Sequence, residues 1–128
     1  MKDISLLILR FVFGGLMILN HGIPKLDKLS QNPIKFPDPL GVGAEYSLYL
    51  TLFGELICPV LIVIGLFTRW VSIPAAITMA VAAFNVHLSD PLSVKEASLL
   101  FLTAFTIILL QGAGKYSLDN LIRPKAKF

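Results

Sequence analysis

Charged residues are scarce in this chain: they form 15% of its 128 residues, against roughly 25% in an average soluble domain. Too few are present to cover a water-facing globule, which excludes a soluble enzyme. Cysteine is scarcer still. With Cys58 alone, neither an intrachain disulfide framework nor a dithiol exchange pair can form, so any redox role has to use other groups. Basic residues are scattered and give a net charge of +3, with no run beyond the spaced tail Arg123, Lys125 and Lys127; this argues against nucleic acid as a partner. Haem ligand pairs, iron–sulfur spacings and nucleotide-binding glycine fingerprints are missing, as are a nucleophilic triad, a phosphate-cradling loop and an N-terminal lipid box. No intrinsic cofactor is expected.

Apolar sequence is what the chain has in abundance: 55% of residues are hydrophobic and the mean hydropathy is +0.78. Four apolar stretches predict membrane helices over about 4–20, 47–67, 70–86 and 97–114, each close to the length that spans a hydrocarbon core. The fold class is all-α, a four-helix transmembrane bundle forming a single domain over 1–128. Arg10 lies inside the first stretch and no small-x-small cleavage site follows it, so a retained helix is expected rather than a signal peptide. Thr68 and Arg69 alone separate the second and third stretches, which forces an antiparallel hairpin. Residues 21–46 contain Pro24, Pro33, Pro37 and Pro39 with Gly41 and Gly43, and most of this segment is predicted extended or turned. Ile34, Phe36, Leu40 and Val42 among the prolines suggest a lid on the bundle end.

Sidedness follows from the flanking lysines and arginines. Lys2, Arg69, Lys115, Arg123, Lys125 and Lys127 fall on one side, and Lys25, Lys28, Lys35 and Lys95 on the other. Both termini are thus expected in the cytoplasm and the proline-rich loop outside it. Near the C-terminus, Tyr116 suits the headgroup level, Ser117 suits the cap of a short helix over 118–122 whose leucines lie on the membrane, and Asp119 suits that helix's dipole.

The polar residues within the apolar stretches carry whatever chemistry there is. Leaving Arg10 and Glu55 against lipid would cost on the order of 5 to 7 kcal/mol, so both are expected to face the interior. Their heights above the inner edge are roughly 9 and 20 Å, so Arg10 is a buried charge partner for Glu55 only through stretched side chains or a bridging water; snorkelling to the interface is its alternative. Arg10, Gly14, Met17 and His21 share one face of the first helix. Glu55, Cys58 and Pro59 share a face of the second, and Ala76, Ala80, Ala83 and His87 of the third. If these faces converge, Asn20, His21, Glu55, Asn85 and His87 meet in the outer half with Lys25 above them. Glutamate and histidine there suit proton exchange with a bound carbonyl or hydroxyl, and a quinone headgroup fits that chemistry. The same residues equally suit hydrogen bonding between helices in a medium without water. Cys58 reads as a small apolar core residue, and the spacing of His21, Glu55, Cys58 and His87 is not a metal-ligand motif.

The residues Leu9, Arg10, Gly14, His21, Gly22, Lys25 and Leu26, then Gly54 and Glu55, then Gly65, Leu66, Thr68 and Arg69, and last Gly114, Tyr116, Ser117, Leu118 and Asp119 resemble the pattern of the DoxX family of small bacterial integral membrane proteins. The likeness runs in order along nearly the whole chain. It implies a four-helix bundle in the bacterial cytoplasmic membrane. Some relatives are subunits of a thiosulfate to quinone oxidoreductase and others are linked to oxidative stress or thiol homeostasis. Cys58 and Pro59 stand where the family often has a pair of glycines. The leading expectation is a redox-associated membrane subunit, not catalytic alone, that binds a quinone or similar lipid-soluble molecule and works with a protein partner or as a homo-oligomer. A non-enzymatic membrane partner that stabilises another protein is the alternative, and a small transporter the second.

Overall fold

A computed structural model describes residues 1–122; the tail residues Arg123, Lys125 and Lys127 lie outside the described residues. Helices α1 (Lys2–Ser30), α2 (Ala44–Ile64), α3 (Thr68–Val86) and α4 (Leu92–Gln111) are each long and apolar enough to cross a membrane, and a short α5 (Leu118–Ile122) follows. No strand occurs among the described residues. The outward faces are apolar: Ile8, Ile77 and Phe84 are each more than half exposed, a surface that only a bilayer covers at no cost. The chain is a multi-pass membrane protein. The end of the bundle where α1 starts is called the inner end below.

The core is formed by Met17, Cys58, Ile62, Ala75, Met79, Phe101, Phe105 and Ile108. α3 lies along α4, and α1 and α3 flank α2. Small residues set the spacing. A Cβ on Gly14 would come within 2.7 Å of Val63 Cγ2 and 3.3 Å of the Pro59 carbonyl, so α1 and α2 touch there nearly backbone to backbone.

Three helices contain a π-helical turn: Ile18–Gly22 in the outer half of α1, Phe53–Ile57 at the middle of α2 and Ala82–Val86 at the outer end of α3. Each is closed by a bond across five residues, as from the His87 N–H to the Ala82 carbonyl at 2.9 Å. This corrects the expected end of α1 at Asn20. The helix continues to Ser30 because Pro24 stands in the first turn of renewed α-helix after the π turn, where a missing N–H breaks no ladder bond. Pro59 stands likewise after the π turn of α2. The other boundaries shift for local reasons. Gly65, at φ +77°, ends α2 at Ile64, and α4 begins at Leu92 directly after Pro91, with the charged Lys95 and Glu96 already helical.

The inner end is held by Arg10, which departs from the expected pairing with Glu55, and by Asp119, which does more than its expected role. Arg10 is 1% exposed and makes no contact with Glu55. Its Nε donates to the Ile62 carbonyl at 2.9 Å and its Nη2 to the Val63 carbonyl at 3.0 Å, while Nη1 donates to the carbonyls of Ala113 at 2.8 Å and Tyr116 at 2.9 Å. Ile62 and Val63 belong to the last turn of α2, whose carbonyls lack ladder partners and whose dipole favours a cation. Asp119 is buried and its carboxylate accepts the N–H groups of Phe67 at 2.7 Å and Thr68 at 3.0 Å. It caps α3 while standing, as expected, in the first turn of its own helix. Ser117 Oγ accepts the Asn120 N–H at 3.2 Å, capping α5. The Gly65, Thr68 and Gly114, Ser117, Asp119 elements of the family pattern are therefore one structural joint.

Candidate functional site

At the outer end, α1 and α2 approach so closely that a Cβ on Gly22 would lie 2.6 Å from the Glu55 carbonyl oxygen and 3.1 Å from Leu56 Cα. Glycine at this position is what brings Lys25, less than a turn further on, over Glu55. The Lys25 Nζ lies 2.6 Å from Glu55 Oε2, with the side chains 22% and 6% exposed, and Nζ also donates to the His21 carbonyl at 3.3 Å. Opposite charges this close in an apolar wall interact strongly, because little solvent screens them.

Beside the pair is a cavity of about 440 Å³ between α2 and α3, within the size range of small-molecule sites. Its walls are apolar, with Leu50, Phe53, Ile77, Val81 and Val86 from the two helices, and Phe36, Pro37, Pro39 and Leu40 of the connecting loop close its outer side. Polar groups are few: Lys25, Glu55, His87, Ser47, Thr51 and Thr78. Thr51 and Thr78 hydroxyls donate to the Ser47 and Pro74 carbonyls, both at 2.8 Å, which leaves their lone pairs as acceptors. Leu50, Phe53 and Ile77 are themselves exposed on the bundle surface, so the cavity borders the hydrocarbon of the membrane.

The predicted residues divide. Lys25, Glu55 and His87 line the cavity; His21, Asn20 and Asn85 do not. The His21 ring packs edge-on to Phe101 of α4, centroids 5.5 Å apart, and Asn20 and Asn85 are exposed. The reason is the π turn. An ideal helix carries the face of Arg10, Gly14 and Met17 on to His21, but one inserted residue moves it to Gly22, which is the residue buried, and swings His21 sideways. On α3 the buried face is Ser72, Ala75, Met79 and Ala83, with Ala76 and Ala80 half-buried beside it. His87 Nδ1 lies 2.8 Å from Asp90 Oδ2. Among the described residues no three of histidine, cysteine, aspartate and glutamate are grouped as metal ligands.

Sequence reasoning missed Asp38, which fastens the loop. Its Oδ1 accepts the Val42 N–H at 2.9 Å and the Ser47 hydroxyl at 2.8 Å, and Oδ2 accepts the Gly43 N–H at 2.8 Å. An aspartate just before Gly41 and Gly43 was the available signal, since aspartate side chains bond backbone amides a few residues on in turns. The Ser47 hydroxyl first, then the Gly43 and Val42 amides, hold the Asp38 carboxyl below its ordinary value of 3.8. A carboxylate with a depressed folded pKa stabilises docking above that ordinary value and loses the contribution as pH falls through the folded one. Hydrogen exchange at the Val42 and Gly43 amides is therefore expected to stay protected, relative to the intrinsic rate, from neutrality down to about pH 4 and to lose protection below it. Asp38→Ala should lose it at neutral pH as well; protection that persists in the variant would show that the loop is held by other groups.

Compared with known proteins, the chain matches the DoxX family profile over residues 5–88, from α1 through α3. A Haemophilus influenzae protein is 30% identical over 130 residues, covering 95% of this chain and 85% of its own length. A second from the same organism is 29% identical over 119 residues, covering 88% and 86%. Both are described as uncharacterized proteins. No solved structure matches at a significant level.

Proposed function

Given that the chain belongs to the DoxX family, we propose that it is a membrane subunit of a redox-associated system that binds a lipid-soluble molecule with a hydrogen-bonding head, a quinone being the expected example. The observation that carries the reading is the cavity between α2 and α3, apolar along its length and bordering lipid, with the Lys25–Glu55 pair in its wall. A head seated there meets an ammonium donor and a carboxylate acceptor side by side. It can receive a hydrogen bond at a carbonyl oxygen and give one from a hydroxyl. An oxidised and a reduced head are thus both accommodated, and the pair can pass a proton to or from either. The redox association rests on the family. Since no electron-carrier motif is present in the sequence, electrons would pass through the ligand and a partner protein.

The proposal includes sidedness. The six basic residues of one side against four of the other put both termini in the cytoplasm and the cavity in the outer half of a bacterial inner membrane.

Mass spectrometry of the organic extract of protein purified in mild detergent tests the reading. Wild type is expected to carry a lipid-soluble molecule near one per chain, and Glu55→Gln to retain at least about tenfold less, the loss of a charge-assisted hydrogen bond. Ala82→Leu, which fills the cavity from the α3 side and leaves both charged residues in place, should also be empty. A folded wild-type protein that carries nothing would sink the proposal.

A further inference from the structure

A second hollow of about 410 Å³ lies at the inner end, away from the Lys25–Glu55 cavity. The start of α1, the first turn of α3, the end of α4 and the segment leading to α5 enclose it, and Lys2, Arg69, Lys115, Asp3, Asp119 and Asn120 are in its wall. Both carboxylates are already engaged by backbone amides: Asp119 by Phe67 and Thr68, and Asp3 by the Lys115 N–H at 3.0 Å. Neither is ion-paired with a lysine. Among the described residues Lys2 and Lys115 form no ion pair and no side-chain hydrogen bond; the Lys115 ammonium lies over the Tyr116 ring, 6.0 Å from its centroid, and both lysines are exposed. Arg69 donates from Nη2 to the Leu110 carbonyl at 3.0 Å. The lining carries two carboxylates against the two lysines and Arg69; the carboxylates are turned to backbone amides, so the lysines Lys2 and Lys115 are the charges the cleft offers an anion.

The surroundings say what kind of anion reaches it. Trp70 and Tyr116 are 65% and 48% exposed, and Leu121 and Ile122 of α5 are 75% and 64% exposed. Tryptophan and tyrosine favour the headgroup level, and an exposed apolar face on a short helix favours the acyl boundary just beneath it. The hollow therefore opens where phospholipid phosphates lie. Hollows of this size accept a small-molecule head, and basic pockets between membrane helices take phosphate-bearing headgroups.

We propose that this hollow binds a phosphate-bearing anionic headgroup, held by Lys2 and Lys115 with Arg69 in its wall, and that the phosphate is that of an anionic phospholipid. Lipid retention on the protein released from detergent in native mass spectrometry tests this, with phosphatidylglycerol, phosphatidylcholine and inorganic phosphate offered separately and in competition. Phosphatidylglycerol is expected to be retained over phosphatidylcholine. Lys2→Gln/Lys115→Gln should lower that retention about fivefold per lysine, roughly 25-fold together, while Lys2→Arg/Lys115→Arg keeps it. The control Lys28→Gln/Lys95→Gln, which removes two lysines at the outer end, should leave retention unchanged. Failure of millimolar inorganic phosphate to displace the lipid supports the lipid source. Inorganic phosphate that binds alone with the same lysine dependence would overturn the lipid assignment in favour of a free phosphate site. Equal retention of the two lipids, or equal loss in the outer-end control, would overturn the site altogether. All four lysines are solvent-accessible or half-buried, so the comparison does not turn on loss of the fold.

Discussion

Arg10→Met is expected to lower the unfolding free energy by about 3–5 kcal/mol, at the top of the usual range for one substitution. The guanidinium joins four carbonyls from two parts of the chain, Ile62 and Val63 at the end of α2 and Ala113 and Tyr116 before α5. Methionine fills the volume but donates nothing. Each buried carbonyl left without a donor costs about 1–3 kcal/mol, offset in part where Gly65 N–H already reaches Ile62 at 3.1 Å or where water enters. The end of α2 also loses the cation that complements its dipole. Inserting an arginine at the centre of an isolated span costs about 2.5–3.5 kcal/mol, so its removal eases insertion while loosening the folded joint. Equilibrium unfolding in mixed micelles reads the difference. Arg10→Lys should recover less than half of the loss, since a point-like ammonium with three donors cannot span both carbonyl pairs. A methionine variant within about 1 kcal/mol of wild type would mean that water replaces the guanidinium without penalty.

The class of fold was legible because membrane spans are written in composition: four apolar stretches separated by turns leave few alternatives. The capping of α5 by Ser117 was legible too, since it is a local contact between neighbours in sequence. Arg10 was readable as a buried residue but not as a joint, because its acceptors lie about 50 and 100 positions away and carbonyl acceptors carry no sequence signature. The heights of Arg10 and Glu55, counted along straight helices, did separate the two residues by about two turns. The faces were harder. A periodicity of 3.6 residues carries His21 into the site, and the π turn at Ile18–Gly22 rotates it out by about 100° and leaves Gly22 inside,. Prolines that ordinarily end helices flank these turns, so Pro24 read as a terminus although it sits within one. Glu55 was found because a carboxylate in a membrane span has to face the interior, whereas Lys25 was placed only above the cluster and Arg10 was expected as the charge partner, so the Lys25–Glu55 pair itself was not read. Asp38 was passed over because an aspartate in a proline-rich loop looks solvated, and only the fold shows it holding α2 and the lid together.

Taking both charges out of the wall is expected to cost less stability than taking out either one, and to abolish binding all the same. Glu55→Leu strands the Lys25 ammonium beside an apolar cavity. The expected loss is about 2–3 kcal/mol, below the 3–5 typical of a fully buried pair, because the Lys25 side chain is 22% exposed and can turn towards water. Lys25→Met leaves the carboxylate, 6% exposed, with less freedom to escape, so its loss should be the larger of the two single variants. The double variant Lys25→Met/Glu55→Leu removes both desolvation penalties and adds apolar contact, and should unfold within about 1 kcal/mol of wild type. Such a cycle gives a coupling of a few kcal/mol between the two sites, whereas additive losses would show that the pair contributes nothing as a pair. The organic extract then separates stability from binding. If the stable double variant still retains the lipid-soluble molecule, the cavity selects by shape alone and the charges only hold α1 against α2. If it is empty, the cause cannot be a damaged fold, and what remains is the chemistry of an ammonium and a carboxylate set side by side where no water competes with a bound head for their hydrogen bonds.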